Sequence, residues 1–153
     1  MVYSVNKEHQ KDLVFDGLDL IDGKGNTVAI DFSKTIVIDF WTTTCATCFK
    51  TFPDYEKVYN HYKKDENIAV LSVNVPLKKD SLPKTIELVK KLDYDFPTLY
   101  LSKTKDIEAK YHIDAFPHIL IIKNDKITYN GLLETSPLIV INNLYSEINK
   151  ALN

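Results

Sequence analysis

The chain contains no arginine. All 19 of its basic residues are lysines, and 21 acidic residues bring the formal net charge to −2. It therefore lacks the guanidinium group that usually clamps a carboxylate or phosphate through two parallel hydrogen bonds. The nearly balanced charge gives no reason to expect nucleic acid or an anionic membrane as a partner.

Cysteine is equally scarce. The chain has two, Cys45 and Cys48, which are too few and too close together to form a disulfide framework. A structural zinc site would need a second pair of ligands at matching spacing, and the histidines are scattered singly. We therefore expect no metal, and no cofactor beyond the cysteine pair itself.

Long apolar runs are also missing. No stretch of about 20 apolar residues could span a membrane, and the first residues contain no apolar segment typical of a secretory signal. Two locations stay open on these grounds: the cytoplasm, or a compartment outside it reached after removal of a leader.

The composition that remains is that of an ordinary globular protein, with 44% hydrophobic and 26% charged residues. A length of 153 residues suits one domain, which we expect to be monomeric. Residues 1–12 are polar and predict a loose lead-in.

One stretch combines two kinds of regular structure around the cysteines. The run Ile36–Phe40 is apolar and β-branched, which is typical of a buried strand. After the cysteines, aromatic and aliphatic residues recur at helical spacing: Phe52, Tyr55, Val58, Tyr59 and Tyr62. Cys45 and Cys48 are one helical turn apart at the start of this helix, where free N–H groups and the helix dipole favour an acidic, nucleophilic thiol.

The rest of the chain alternates strands and helices in the order β-β-β-α-β-α-β-α-β-β-α. A turn at residues 22–26 predicts a hairpin between residues 13–21 and 27–30, and Pro53 falls inside the helix after the cysteines. Ser81 is a candidate cap of a helix whose predicted buried stripe is Ile86, Val89 and Leu92. Ser136-Pro137 predicts the start of the last helix. The predicted inner face of this helix consists of Leu138, Ile141, Tyr145, Ile148 and Leu152. The order predicts an α/β fold with a central mixed sheet that ends in an antiparallel pair.

These features resemble the thioredoxin superfamily over most of the chain. Asp39-Phe40-Trp41, then Cys45-x-x-Cys48, then Pro53 matches the central pattern of the family. Phe116-Pro117 stands where the family carries a cis-proline that faces the cysteines. The leading hairpin and the β-α insertion between residues 81 and 101 look like the TlpA-like branch of membrane-tethered or periplasmic thiol–disulfide oxidoreductases, which favours a location outside the cytoplasm.

The resemblance comes with three departures. Ala46 and Thr47 replace the Gly-Pro between the cysteines of cytoplasmic thioredoxins. The lysine often paired with the buried acid is missing, and its place falls near Ser72. The acid that commonly follows the second cysteine in the TlpA-like branch is replaced by Lys50 and Thr51.

The resemblance and the local sequence together assign the candidate site. We expect Cys45 to attack a disulfide, Cys48 to resolve the mixed disulfide, and a buried Asp39 with a raised pKa to take the proton of Cys48. We expect substrate contacts from a second set of residues, which are Trp41, Thr44, Phe116 and Pro117. For Trp41 and Phe116, a simple role in the core stays open as the alternative. His118 is more simply a structural histidine than a proton carrier.

The predicted function is reduction or exchange of disulfides in protein substrates, with re-reduction by an upstream donor. Two alternatives stay open. Thr42-x-x-Cys45 has the threonine–cysteine spacing of peroxiredoxins, although these enzymes also use an arginine that this chain lacks. A copper(I) carrier would suit two soft thiolates, although carriers of this fold usually have wider cysteine spacing and an added histidine.

Overall fold

The computed structural model describes residues 14–102, 107–132 and 137–153. The strands are β1 (Leu20–Ile21), β2 (Thr27–Val28), β3 (Thr35–Trp41), β4 (Ile68–Asn74), β5 (Thr98–Leu101), β6 (His118–Lys123) and β7 (Lys126–Leu132). The helices are α1 (Ala46–Tyr62), α2 (Leu82–Leu92), α3 (Ile107–Tyr111) and α4 (Pro137–Leu152). The predicted lead-in, residues 1–12, lies outside the described residues.

All seven strands join one mixed sheet in the order β2-β1-β5-β4-β3-β6-β7. The central strands β3, β4 and β5 run parallel, whereas β1 and β2 on one side and β6 and β7 on the other are antiparallel to their neighbours. Every residue of β3 is buried, as its apolar composition predicts for a strand covered on both faces. The predicted element order and sheet class are therefore confirmed.

A separate core lies on each face of the sheet. One face packs against α3 and the segment that precedes β1, and includes Phe15, Phe40 and Tyr111. The other face packs against α1 and α4, and includes Trp41 and Cys48. The chain therefore holds its two cysteines on the side of the sheet away from α3.

Three local predictions need correction. The leading hairpin is confirmed but shorter than predicted, because its strands end at two residues each. Ser81 occupies the N-cap position of α2 without making a side-chain capping bond; instead, the hydroxyl of Thr85 donates to the backbone oxygen of Ser81 at 3.2 Å. The predicted buried stripe of α2 is only half-buried, and Thr85 is the buried position of this helix.

The inner face of α4 is also partly different from the prediction. Ile148 is buried as predicted, but Tyr145 and Leu152 are only half-buried. Leu144 and Ala151 are the additional buried residues that the pattern did not identify. The side chains of the remaining predicted members, Leu138 and Ile141, lie outside the described part of the chain.

Candidate active site

Cys45 and Cys48 form a disulfide at the start of α1, with their Cα atoms 5.3 Å apart. Cys45 is the N-cap residue, and its Sγ atom accepts a hydrogen bond from the backbone N–H of Cys48 at 3.1 Å. Cys45 is half-buried, whereas Cys48 is fully buried. Cys45 is therefore the more accessible of the two cysteines, and its sulfur lies where the helix dipole favours negative charge.

Asp39 lies inside β3 with no exposed surface, as the sequence predicts. Its side chain points to the same face as those of Val37 and Trp41, which pack in the core cluster that contains Cys48. Neither carboxyl oxygen has a hydrogen-bond partner among the described residues. Burial accordingly raises the pKa of Asp39 well above its ordinary value, because desolvation disfavours the charged form.

The neighbours of Asp39 include one tyrosine that the sequence places on the inner face of the helix but not in the candidate site. Tyr55, on α1, donates its hydroxyl to the backbone oxygen of Leu71 at 2.6 Å. Its pKa is raised mainly by burial, and further by the negative charge of Asp39. Tyr55 therefore covers Asp39 from the α1 side, and its hydroxyl proton is already engaged in a hydrogen bond with the backbone of Leu71.

Trp41 lies behind the disulfide in the core. Its ring packs edge to face on Phe52 at 5.4 Å and on Phe49 at 5.9 Å, the latter directly after Cys48. Only 1% of Trp41 is exposed, so its side chain offers no surface that a substrate could contact. Of the two roles that the sequence leaves open for Trp41, the structure therefore supports the core role, as packing support for the start of α1, and not substrate contact.

The peptide bond between Phe116 and Pro117 is cis, as the resemblance implies. Strand β6 begins directly after it, and His118 pairs with Phe40 near the end of β3, from which the chain leads to Cys45. Pro117 is buried and Phe116 is half-buried, and Phe116 and Cys45 both pack at the border of the core cluster beneath α1. The cis-proline edge and the accessible cysteine thus lie at the same end of the sheet.

His118 belongs to a buried hydrogen-bond network on the other face of the sheet. Its Nε2 atom donates to Oδ1 of Asn130, and Nδ2 of Asn130 donates to the backbone oxygen of Tyr111 at 2.9 Å. Burial lowers the pKa of His118, against the opposing effects of Asn130 and of the charge of Asp114. The sequence analysis missed Asn130, whose signal is a single amide within the β7 strand pattern.

The loop between β3 and Cys45 contains three threonines. Thr44 is exposed beside Cys45, consistent with the predicted place of a substrate contact. The hydroxyl of Thr43 donates to Asp80 at 2.8 Å, and the other oxygen of Asp80 accepts from the backbone N–H of Leu77 at 2.9 Å. Asp80 therefore fixes the loop after β4 beside the cysteine loop, a connection that no sequence pattern predicts.

Within residues 14–102, 107–132 and 137–153, no three His, Cys, Asp or Glu side chains come close enough together to hold a metal ion. Within the same residues, no helix is both long and apolar enough to cross a membrane.

Comparison with known proteins identifies the family. The model of a family described as thioredoxin-like matches residues 33–128, more than half of the chain. A thioredoxin-like protein of Bacillus subtilis, YneN, is 26% identical over 105 residues, which are 69% of this chain and 59% of that protein. The sporulation thiol-disulfide oxidoreductase A of the same organism is 26% identical over 106 residues, 69% of this chain and 62% of that protein. The chain thus spans about three fifths of the length of these two relatives.

Solved structures extend the agreement to nearly the whole chain. The thioredoxin domain of a thiol-disulfide oxidoreductase from Bacteroides vulgatus has a TM-score of 0.73 and 26% identity, and the match covers 94% of this chain and 98% of that domain. A thiol:disulfide interchange protein from Bacteroides sp. has a TM-score of 0.70 and 27% identity, covering 91% and 90% of the two chains. The chain therefore belongs to the thioredoxin-like family and has the fold of its thiol–disulfide oxidoreductases.

Proposed function

We propose that the protein is a thiol–disulfide oxidoreductase that reduces or exchanges disulfides in protein substrates through Cys45 and Cys48. The observation that carries the proposal is the placement of Cys45: its Sγ atom caps α1 and accepts the N–H of Cys48, and the residue is only half-buried. An N–H donor and the positive end of a helix stabilise a thiolate, which is the attacking species in disulfide exchange. The names of two similar proteins, both thiol-disulfide oxidoreductases, agree with this reaction class.

The reaction proceeds in two displacements. The Cys45 thiolate attacks one sulfur of the substrate disulfide, so that a mixed disulfide forms and the other substrate sulfur leaves as a thiolate. Asp39 then accepts the proton of Cys48, and the Cys48 thiolate attacks Cys45 Sγ. The second substrate sulfur leaves, and the Cys45–Cys48 disulfide remains until an upstream dithiol reduces it.

The substrate would bind at the end of the sheet where the cis-proline edge and Cys45 lie. A cis-proline presents extended backbone beside the disulfide, to which a substrate segment can pair as an additional short strand. Thr44, exposed next to Cys45, and half-buried Phe116 would border this segment. No cofactor other than the cysteine pair takes part in this scheme.

Insulin reduction with dithiothreitol as electron donor tests the proposal. Cys45→Ser removes the nucleophile, so we expect the turbidity of reduced insulin to appear no faster than without protein. Ser146→Ala changes an exposed residue of α4 and provides the matched control, which we expect to retain wild-type activity. Cys48→Ser should accumulate the mixed disulfide, visible by mass spectrometry. Undiminished reduction by Cys45→Ser would refute the proposal.

We further propose that reduction is the favoured direction. Neither Ala46 nor Thr47 supplies a cation that would strongly stabilise the thiolate, and stabilised thiolates make oxidising pairs. We expect a reduction potential of about −270 to −200 mV in glutathione buffers, whereas a value near −120 mV would indicate an oxidant. Peroxide consumption no faster than that of free cysteine, and no copper after reductive purification, would exclude the two alternative functions.

The compartment is a separate proposal. The leading hairpin and the α2–β5 insertion are features that the chain shares with TlpA-like oxidoreductases, and they favour a place outside the cytoplasm. Fractionation of cells that express the native gene tests this: recovery with periplasmic or envelope markers supports it, and recovery with cytoplasmic markers contradicts it.

A further inference from the structure

Three polar side chains lie in one row across the central strands. Asp39 of β3 pairs in register with Ser72 of β4, and Ser72 pairs in register with Thr98 of β5. Residues paired in register on parallel strands point to the same face, so this row lies on the face that α1 covers. Ser72, like Asp39, is completely buried, whereas Thr98 is half-buried.

Two members of this row already form a hydrogen bond. The Oγ atom of Ser72 lies 2.8 Å from Oγ1 of Thr98, and either hydroxyl can be the donor. Neighbouring strands are about 4.8 Å apart, and a serine hydroxyl moves between staggered positions by rotation about its Cα–Cβ bond. Such a rotation turns Ser72 from Thr98 towards the carboxyl group of Asp39.

The outer end of the row opens on a small crevice. Its volume for water is about 10 Å³, room for roughly one molecule. The side chains that line this crevice come from β3, α1, α2 and β5 and the loop between the last two: Trp41, Phe52, Val89, Leu92, Tyr94, Phe96 and Thr98. Thr98 is thus the member of the row that meets solvent, on the α2 side of the molecule.

The other groups around Asp39 that the structure describes differ from this row. From α1, the titratable side chains on this face are Cys48, Tyr55, Tyr59 and Tyr62. The hydroxyl of Tyr55 is bonded to the backbone of Leu71, and that of Tyr62 is bonded to the side chain of Asn149. From β6, the residue in register with Asp39 is Ile119, which carries no proton to exchange. Trp41 precedes the cysteine loop, and its N–H, which has no partner in the described part of the chain, can donate but not accept.

We propose that Ser72 and Thr98 form a proton path that connects the buried carboxyl group of Asp39 with solvent beneath α2. This inference rests on the proposed function. In the release step, the carboxyl proton passes to Ser72, the hydroxyl proton of Ser72 passes to Thr98, and the hydroxyl proton of Thr98 passes to water in the crevice. No bond to carbon or sulfur changes, and the net result is one proton transferred from Asp39 to solvent.

The path has a clear use in the proposed reaction. Asp39 must be ionised before it can accept the proton of Cys48, and burial favours its protonated form. A substrate bound over Cys45 and the cis-proline edge separates the cysteine side of the site from solvent. A path that opens beneath α2 lets Asp39 exchange its proton while the substrate is still attached.

The test uses the reduced full-length protein and a small aromatic disulfide, 5,5′-dithiobis(2-nitrobenzoate), in a stopped-flow spectrometer. The first release of coloured thiolate reports attack by Cys45, and the second reports attack by Cys48. We expect Thr98→Val and Ser72→Ala each to slow the second release by about fivefold near pH 6, with the first release unchanged. Near pH 9 we expect the variants to approach the wild type, because Asp39 is then more fully ionised.

Two matched variants separate a proton path from mere packing. Thr98→Ser keeps the hydroxyl and should restore the second release, with its wild-type pH profile. Thr85→Val makes the same Thr-to-Val change at a buried α2 position outside the row and should leave both releases unchanged. If Thr98→Val, folded by circular dichroism, shows the wild-type pH profile, the hydroxyl pair is structural and the path is refuted. Absence of a first release in the wild type would instead contradict the proposed function.

Discussion

Asp39 and His118 are buried titratable residues on neighbouring strands, and they differ in what surrounds them. Asp39 pairs in register with Ile119, and Phe40 pairs with His118, so the two side chains are one register position apart and point to opposite faces. The carboxyl group of Asp39 has no hydrogen-bond partner among the described residues, whereas His118 is bonded to Asn130. The two sites are almost equally buried, so burial alone does not distinguish them.

The difference separates a reactive environment from a structural one. Leaving a buried polar group without a partner costs about 1–3 kcal/mol, and more for a charged group, so such a group needs a reason to be there. On the α3 face, His118 and Asn130 satisfy each other and the backbone of Tyr111. On the α1 face, the carboxyl group of Asp39 has no such partner, which is consistent with its proposed role as the proton acceptor of Cys48.

The largest expected effect is on turnover. Asp39→Asn keeps the shape of the side chain but cannot accept a proton, so we expect disulfide reduction near pH 7 to fall by at least about tenfold. His118→Gln retains an N–H donor for Asn130, and we expect its turnover to stay within about twofold of wild type. The measurement is the initial rate of insulin reduction.

The same pair of variants can break this comparison. An activity loss in His118→Gln as large as that in Asp39→Asn would place a proton carrier on the α3 face, against the assignment made from its hydrogen bonds. The second thiolate release described above should be the step affected in Asp39→Asn. Loss of the first release would mean that Asp39 acts on Cys45 instead.

The next effect is on stability, and its sign differs between the two residues. Because the pKa of Asp39 is raised in the folded state, the folded chain binds the proton more tightly, and stability falls as pH rises above the unfolded pKa of about 3.9. Asp39→Asn lacks this loss, so we expect it to be more stable than wild type by about 1–3 kcal/mol near pH 8. Near pH 4 the difference should vanish.

For His118 the pH dependence is reversed. Burial lowers its folded pKa, so the unfolded chain binds the proton more tightly and wild-type stability falls as pH drops below about 6.5. His118→Leu leaves Oδ1 of Asn130 without its donor and should lose about 1–3 kcal/mol near pH 8, with a smaller difference at lower pH. Urea denaturation across this pH range measures both variants, and parallel pH profiles for the two would contradict the contrast.

The sequence predicted one side of this comparison well. The burial of Asp39 followed from apolar neighbours on both sides, and the position opposite it was correctly placed near Ser72. The cysteine pair at the start of α1 and the cis-proline followed from local patterns that the family shares. These features are set by residues close together in the chain or by a motif, so they can be predicted from the sequence alone.

The parts that were missed depend on contacts between distant segments. Asn130 meets His118 and Tyr111 only after β6 and β7 have paired, and Thr98 meets Ser72 only through strand register. The burial of Trp41 similarly depends on Phe52 and Phe49 packing against it from α1. No spacing rule in the sequence specifies such pairings, because each depends on the three-dimensional order of the strands.

The smallest expected effect is at the outer end of the structural network, where Tyr111 holds the segment before β1. The hydroxyl oxygen of Tyr111 accepts the backbone N–H of Asp16 at 3.2 Å, and the hydroxyl donates to the Asp16 carboxylate. Tyr111→Phe removes these bonds but keeps the ring that stacks on Phe15 at 5.1 Å. We expect disulfide reduction to be unchanged and hydrogen exchange of the Asp16 amide to quicken about fivefold to tenfold.

The neighbouring residue supplies an internal control for this experiment. The backbone N–H of Phe15 donates to the backbone oxygen of Asp125 at 2.7 Å. This hydrogen bond does not involve the hydroxyl group of Tyr111. The exchange rate of the Phe15 amide should therefore stay at the wild-type value in Tyr111→Phe. Equal acceleration of both amides would show that the segment opens as one unit, and the hydroxyl of Tyr111 would then stabilise the whole α3 face rather than one peptide group.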